Sequence, residues 1–143
     1  MALNKAPLLS IRPKSFYAGI ANRTLLFPVS CHVANITGGP SIYRIRHNSV
    51  LTNPSWISVA TNSAAEYDIS ASASTNGQIL YTGILPNTTD SFTVDLSQMF
   101  SYMEHKLRVL QFGAGQETLT ITGENISGGS ATMRSSMNWH EIR

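Results

Sequence analysis

Glu117-Thr-Leu-Thr-Ile-Thr-Gly-Glu-Asn125, a break at Ile126-Ser-Gly-Gly-Ser130, and Ala131-Thr-Met-Arg-Ser-Ser-Met-Asn-Trp-His-Glu-Ile-Arg143 make up the last quarter of the chain. In the first run Leu119 and Ile121 alternate with Thr118, Thr120 and Thr122. In the second, Ala131, Met133, Ser135, Met137 and Trp139 share one face and Thr132, Arg134, Ser136, Asn138 and His140 the other. A period of two with polar residues outward is the pattern of a half-buried antiparallel strand. The final strand is therefore expected to close the core.

Outward from that stretch, the composition agrees. Ser, Thr and Asn number 18, 13 and 10, while charged residues are 13% of the chain, about half the usual share. Many Thr and Ser, with little Ala-Leu-Lys-Glu vocabulary, favour strands and turns over helices. A length of 143 residues suits a single core-forming domain. We expect an N-terminal arm over residues 1–9 and one β domain over 10–143.

The strongest strand pattern is Thr24 to Ile36, where Leu25, Phe27, Val29, Cys31 and Val33 recur at period two. Pro28 removes a ladder donor and marks an edge or a bulge. Thr37-Gly-Gly-Pro40 reads as a turn, with Ser41 to His47 as the hairpin partner. Ser10 to Gly19 reads as a strand restricted by Pro13 to an edge or entry position. Asn76-Gly77 is a turn signal, because both residues accept positive φ. The run that follows, Gln78 to Leu85, is mostly apolar and is expected to be covered on both faces. Leu96, Met99, Phe100, Met103 and Leu107 repeat at three or four, which predicts one short helix near 96–106, capped by Asp95 or Ser97. Short strands every eight to twelve residues make the expected fold all-β, an antiparallel β-sandwich of jelly-roll type.

Catalytic chemistry finds no support in the spacing. His32, His47, His105 and His140 lie in four segments, without a ligand-type pair. Glu66 and Asp68 are two apart, a spacing that does not by itself make an acid–base dyad. No Gly-x-Ser-x-Gly or phosphate loop is present, and Gly113-Ala-Gly115 precedes a strand. Cys31 has no partner cysteine and reads as a small core residue. No cofactor, metal or enzymatic activity is expected. A net charge of +2 with scattered basic residues excludes a counterion-releasing stripe for nucleic acid. No run reaches the ~20 apolar residues of a membrane span, and the first ten residues lack a signal-peptide pattern. Synthesis in a cytoplasm follows. Sequons at Asn22, Asn35, Asn87 and Asn125 are taken as coincidental in so Asn-, Ser- and Thr-rich a chain.

What remains are surfaces. Arg44 and Arg46 share a strand face and suit a neighbour's carboxylate, although such a pair is more often a solvated face. Trp56, with Tyr17, Tyr43, Tyr81 and Tyr102, suits a sugar platform, against the commoner role of capping a core. Arg134, Asn138 and His140, on the polar face of the last strand, complete the candidate contact surface.

Leu25–Val33 with its Thr37–Pro40 turn, Gln78–Leu85 followed by Phe92-Thr-Val-Asp-Leu96, Glu117–Ile121, and Ser135-Ser-Met-Asn-Trp139 together resemble small virion proteins of tailed bacteriophages. The nearest likeness is to capsid decoration (cement) proteins. The resemblance covers about half the chain and consists of strand vocabulary without a chemical motif. It implies a jelly-roll, a homo-oligomer (a trimer by preference), and a partner in the major capsid protein or another virion protein. It also implies a virion location and a non-enzymatic role in stabilising the shell. The alternative is a neck, tail or fibre appendage that binds a host receptor or carbohydrate. No site residue is carried over from the resemblance.

Overall fold

The computed structural model describes residues 6–97, 107 and 115–142. Among them lie strands β1 (Ala6–Pro13), β2 (Phe16–Tyr17), β3 (Ile20–Ala21), β4 (Leu25–Thr37), β5 (Ser41–His47), β6 (Val50–Thr52) and β7 (Ile57–Ser58). They continue with β8 (Ala65–Asp68), β9 (Ala73–Thr75), β10 (Gln78–Leu85), β11 (Ser91–Asp95), β12 (Leu119–Asn125) and β13 (Thr132–Ile142). The fold is all-β and its strand pairs are antiparallel. One sheet runs β10-β5-β12-β1-β8-β7 and a second β11-β4-β13; β2-β3 and β6-β9 are two-stranded ribbons. The helix expected near 96–106 falls, apart from its first two positions, outside the described residues.

One apolar cluster draws on both larger sheets. Ile11, Tyr43, Ile45, Leu119 and Ile121 come from the six-stranded sheet, and Leu26, Cys31, Val33, Val94 and Met137 from the three-stranded one. Each fully buried Leu or Ile contributes roughly 2 kcal/mol through loss of apolar surface to water. Strand β13 pairs with β4 from Ile142↔Leu25 to Thr132↔Thr37. Met133, Met137 and Trp139 face the core as the alternation requires, with Thr132, Arg134, Ser136, Asn138 and His140 outward. The closing role expected of the last strand is observed.

Several expectations need correction. Strand β4 does not keep one apolar face. Its register against β13 steps from Asn138↔Ser30 to Trp139↔Pro28, so Val29 is an extra residue. A bulge of one residue flips every side chain beyond it. Leu26 and Pro28 are therefore buried on one side of the step and Cys31, Val33 and Asn35 on the other, while Leu25, Phe27 and Val29 are half-buried. The irregularity at Pro28 was foreseeable; its effect on phase was not.

Strands β4 and β5 are not a hairpin. They belong to different sheets, and Gly38 and Gly39, at φ of 73° and 142°, carry the chain from one to the other in conformations open to glycine. Strand β1 starts at Ala6, so residues 6–9 of the expected arm are in the sheet. It lies between β12 and β8, with Pro13 only at its last position, where a ladder donor is least needed. Strand β12 is buried on both faces, with Thr120 at 0% and Thr122 at 3% exposure. Its threonines are thus interior, and Thr120 Oγ1 shares a 2.9 Å hydrogen bond with Ser10 Oγ. Strand β10, expected to be covered, is a sheet edge that exposes Ile79 and Ile84.

Candidate functional site

The six residues singled out by sequence fall on two surfaces. Arg134, Asn138 and His140 project from β13 and are exposed. The register aligns them in rows across the three-stranded sheet: Arg134–Ala34–Ser91, Ser136–His32–Thr93, and Asn138–Ser30–Asp95. Short side chains tie the rows together. Asn138 Nδ2 donates to Ser30 Oγ at 3.1 Å, and His32 Nδ1 and Thr93 Oγ1 are 2.8 Å apart. Asp95 accepts from the hydroxyl and backbone N–H of Ser97 at 2.6 and 3.0 Å, which holds its carboxyl below the usual range. The resulting face is flat, polar and weakly charged. At one end the bulge of β4 turns Phe27 and Val29 outward, and with Ser97, His140 and Ile142 they line an open cleft of about 460 Å³. Sequence reading missed this cleft, because it placed Phe27 and Val29 inside.

Arg44 and Arg46 belong to the other sheet, and Trp56 immediately precedes its edge strand β7. Arg44 Nη1 donates to Glu124 Oε2 at 2.8 Å, so the carboxylate expected from a neighbour is supplied within the chain. Arg46, two residues on and on the same face, is only 9% exposed. Trp56 is half-buried, with the Arg12 guanidinium carbon 4.0 Å from its ring centre and Arg12 Nε also donating to Glu66 at 2.6 Å. A cation already covers one face of the ring. Among the described residues no aromatic platform forms around it: Tyr43 is buried and stacked on Tyr81 at 6.0 Å and Tyr17 donates to Asn62 O; Tyr102 lies outside the described residues. Glu66 and Asp68 serve Arg12 and a loop respectively.

Among the described residues no group of three His, Cys, Asp or Glu is placed to hold a metal, and no helix is long and apolar enough to cross a membrane. Burial pushes the Cys31 thiol up to about 11 from an ordinary value of 9.0. A shift of that size leaves roughly a hundredfold less thiolate at neutral pH. Labelling of the native protein with a thiol reagent is expected to be at least that much slower than labelling in denaturant, and equal rates would refute the burial. Asn22 and Asn35 of the sequons are 6% and 3% exposed, which keeps both from a folded-state glycosylation site. Comparison of the chain with family models, curated proteins and solved structures gives no match.

Proposed function

We propose that the protein is a non-enzymatic docking module of a virion. It binds through the outer face of β11-β4-β13 and acts most specifically as a decoration protein that stabilises a capsid shell. The observation that carries this reading is the face itself. Three paired strands present Arg134, Ser136, Asn138, His32 and Thr93 as a rigid, nearly uncharged surface with an apolar cleft at one end. Surfaces of this kind lose little on desolvation and gain hydrogen bonds with a partner, in keeping with the depletion of charge at interface centres. The reading includes a jelly-roll packing of the two sheets around their shared cluster, and a trimer.

Binding at junctions between shell subunits adds buried area that heat or internal pressure must break. The test is to mix the purified protein with capsids lacking it and to image the particles. Symmetric added density is expected in hundreds of copies; six or twelve copies would move the protein to the neck or tail, and no density would end the proposal. Arg134→Glu with Asn138→Glu is expected to abolish attachment while leaving Tm within a few degrees, since exposed substitutions cost within about 0.5 kcal/mol each. Loss of folding instead would mean that this face is interior. For the receptor-binding alternative, Arg12 over Trp56 leaves a sugar one ring face at most, and a flat glycan screen is the expected outcome.

A further inference from the structure

The turn between β9 and β10 combines features that favour chemistry on its own backbone. Asn76 sits at φ 59° and Gly77 at φ 80°, in the left-handed region that Asn and Gly adopt at least cost. A Cβ at position 77 would come within 2.7 Å of His47 O and Ser49 N, so the close approach of residues 47–49 admits only glycine there. Both turn residues are exposed, as are Thr75 and Gln78 beside them. The Asn76 carboxamide makes no hydrogen bond among the described residues, and the Asn76 backbone carbonyl accepts from Arg46 Nη1 at 3.4 Å. Other asparagines are placed differently. Asn48, Asn87, Asn125 and Asn138 have their carboxamides in hydrogen bonds, and Asn53 precedes Pro54, which has no N–H to lose.

Asparagine is a thermally labile residue, and a following glycine leaves its carboxamide open to attack by the next backbone nitrogen. We propose that Asn76 is a site of spontaneous deamidation in the folded protein, with isoaspartate as its main product. In the first step the Gly77 nitrogen loses its proton and forms a bond to Asn76 Cγ. The C–N bond of the carboxamide breaks and ammonia leaves, which closes a cyclic imide. Water then adds to either imide carbonyl. Addition at the backbone carbonyl breaks the bond from Asn76 C to Gly77 N, and the nitrogen takes up a proton. The former backbone carbonyl becomes a carboxylate, and the chain now runs through Cγ. That carbonyl is the one Arg46 engages. A guanidinium N–H polarises it toward attack and pairs with the carboxylate it becomes, which favours isoaspartate over aspartate. The event adds a negative charge and one backbone carbon at the entry to β10, and it is independent of the docking role proposed above.

The experiment ages the full folded chain in mildly alkaline buffer and follows each asparagine by peptide mapping, with isoaspartate scored by an isoaspartyl methyltransferase. Asn76 is expected to deamidate several-fold faster than any of the other described asparagines. Its share of isoaspartate should exceed that of the same chain aged in denaturant, where Arg46 is not held against the turn. Arg46→Met should bring the share down to the denatured value. Asn76→Gly, which keeps the positive φ, should remove the signal altogether. Should Arg46→Met not fold, the comparison of native and denatured wild type decides alone. An intact Asn76, or earlier deamidation at another of these asparagines, would overturn the site. An isoaspartate share equal in native and denatured chains, or unchanged in Arg46→Met, would overturn the role of Arg46.

Discussion

Gly83→Val is expected to destabilise the protein by about 3 kcal/mol or more, a Tm loss of roughly 10 °C for a chain of this size. A Cβ at position 83 would lie 2.2 Å from Cζ and 2.3 Å from Oη of Tyr43, far inside van der Waals contact. The ring has little room to retreat. Tyr43 is 1% exposed, stacks on Tyr81, and belongs to the core cluster. Gly83 stands directly opposite it in the β10–β5 register, so the glycine is the space into which the ring extends. Thermal unfolding measures the loss. The cause is isolated by combining Gly83→Val with Tyr43→Leu. The two changes should cost markedly less together than the sum of the single variants, as touching sites do. Simple additivity would show that the glycine matters for backbone reasons and not for the ring.

Asp68→Ala is expected to cost about 2–3 kcal/mol, because three backbone donors and a hydroxyl lose one acceptor. Oδ1 accepts from Ser55 N at 2.8 Å, Ser70 N at 3.2 Å and Ser70 Oγ at 2.6 Å, and Oδ2 from Ala71 N at 3.0 Å. Burial alone would raise this carboxyl, but the four hydrogen bonds outweigh burial and hold it below its ordinary value of 3.8. A carboxyl whose folded pKa is depressed adds stability that is fully present above its unfolded value. That stability is lost as pH falls through the folded one. Wild-type Tm should therefore drop from about pH 4 downward, and Asp68→Ala should remove part of that slope as well as lowering Tm at pH 7. An unchanged acid limb would mean that other carboxyls carry the pH dependence.

Strand content was legible because alternation is a local property. Leu119/Ile121 and the Met133–Trp139 run show their buried sides directly, and the Tyr43/Ile45 face of β5 follows the same rule. Partnership is not local. Thr120 and Thr122 have the chemistry of solvent-facing residues, yet β12 is flanked by β5 and β1 and covered on both sides. Nothing at positions 119–125 announces that neighbourhood. The apolar run of β10 suggested burial, but its place at the sheet edge is set by β5 having β12 on its other side. The Thr37–Pro40 turn looked like a hairpin because hairpins and sheet-to-sheet crossings use the same glycines.

The candidate surface was read in part. Arg134, Asn138 and His140 lie on one face as parity required. The Arg44/Arg46 pair was found as a pair, but its members do different things. One is neutralised by Glu124, eighty positions away, and the other is buried and donates to Asn76 O at 3.4 Å. Arg12 was missed for the same reason: its partners Glu66 and Trp56 are distant in sequence and carry no spacing signal.

Strand β1 carries a consequence for how the molecule is made. Its neighbours are β8 and β12, and Ala6 lies opposite Gly123 while Ser10 bonds Thr120 across 110 positions. A chain emerging from a ribosome cannot finish the six-stranded sheet until Leu119–Asn125 is available, however early its first residues appear. Closing so long a loop before any contact rewards it slows folding. Until then the sides of β1 and β5 that β12 will join wait unpaired, which leaves the nascent chain open to self-association until Leu119–Asn125 has emerged.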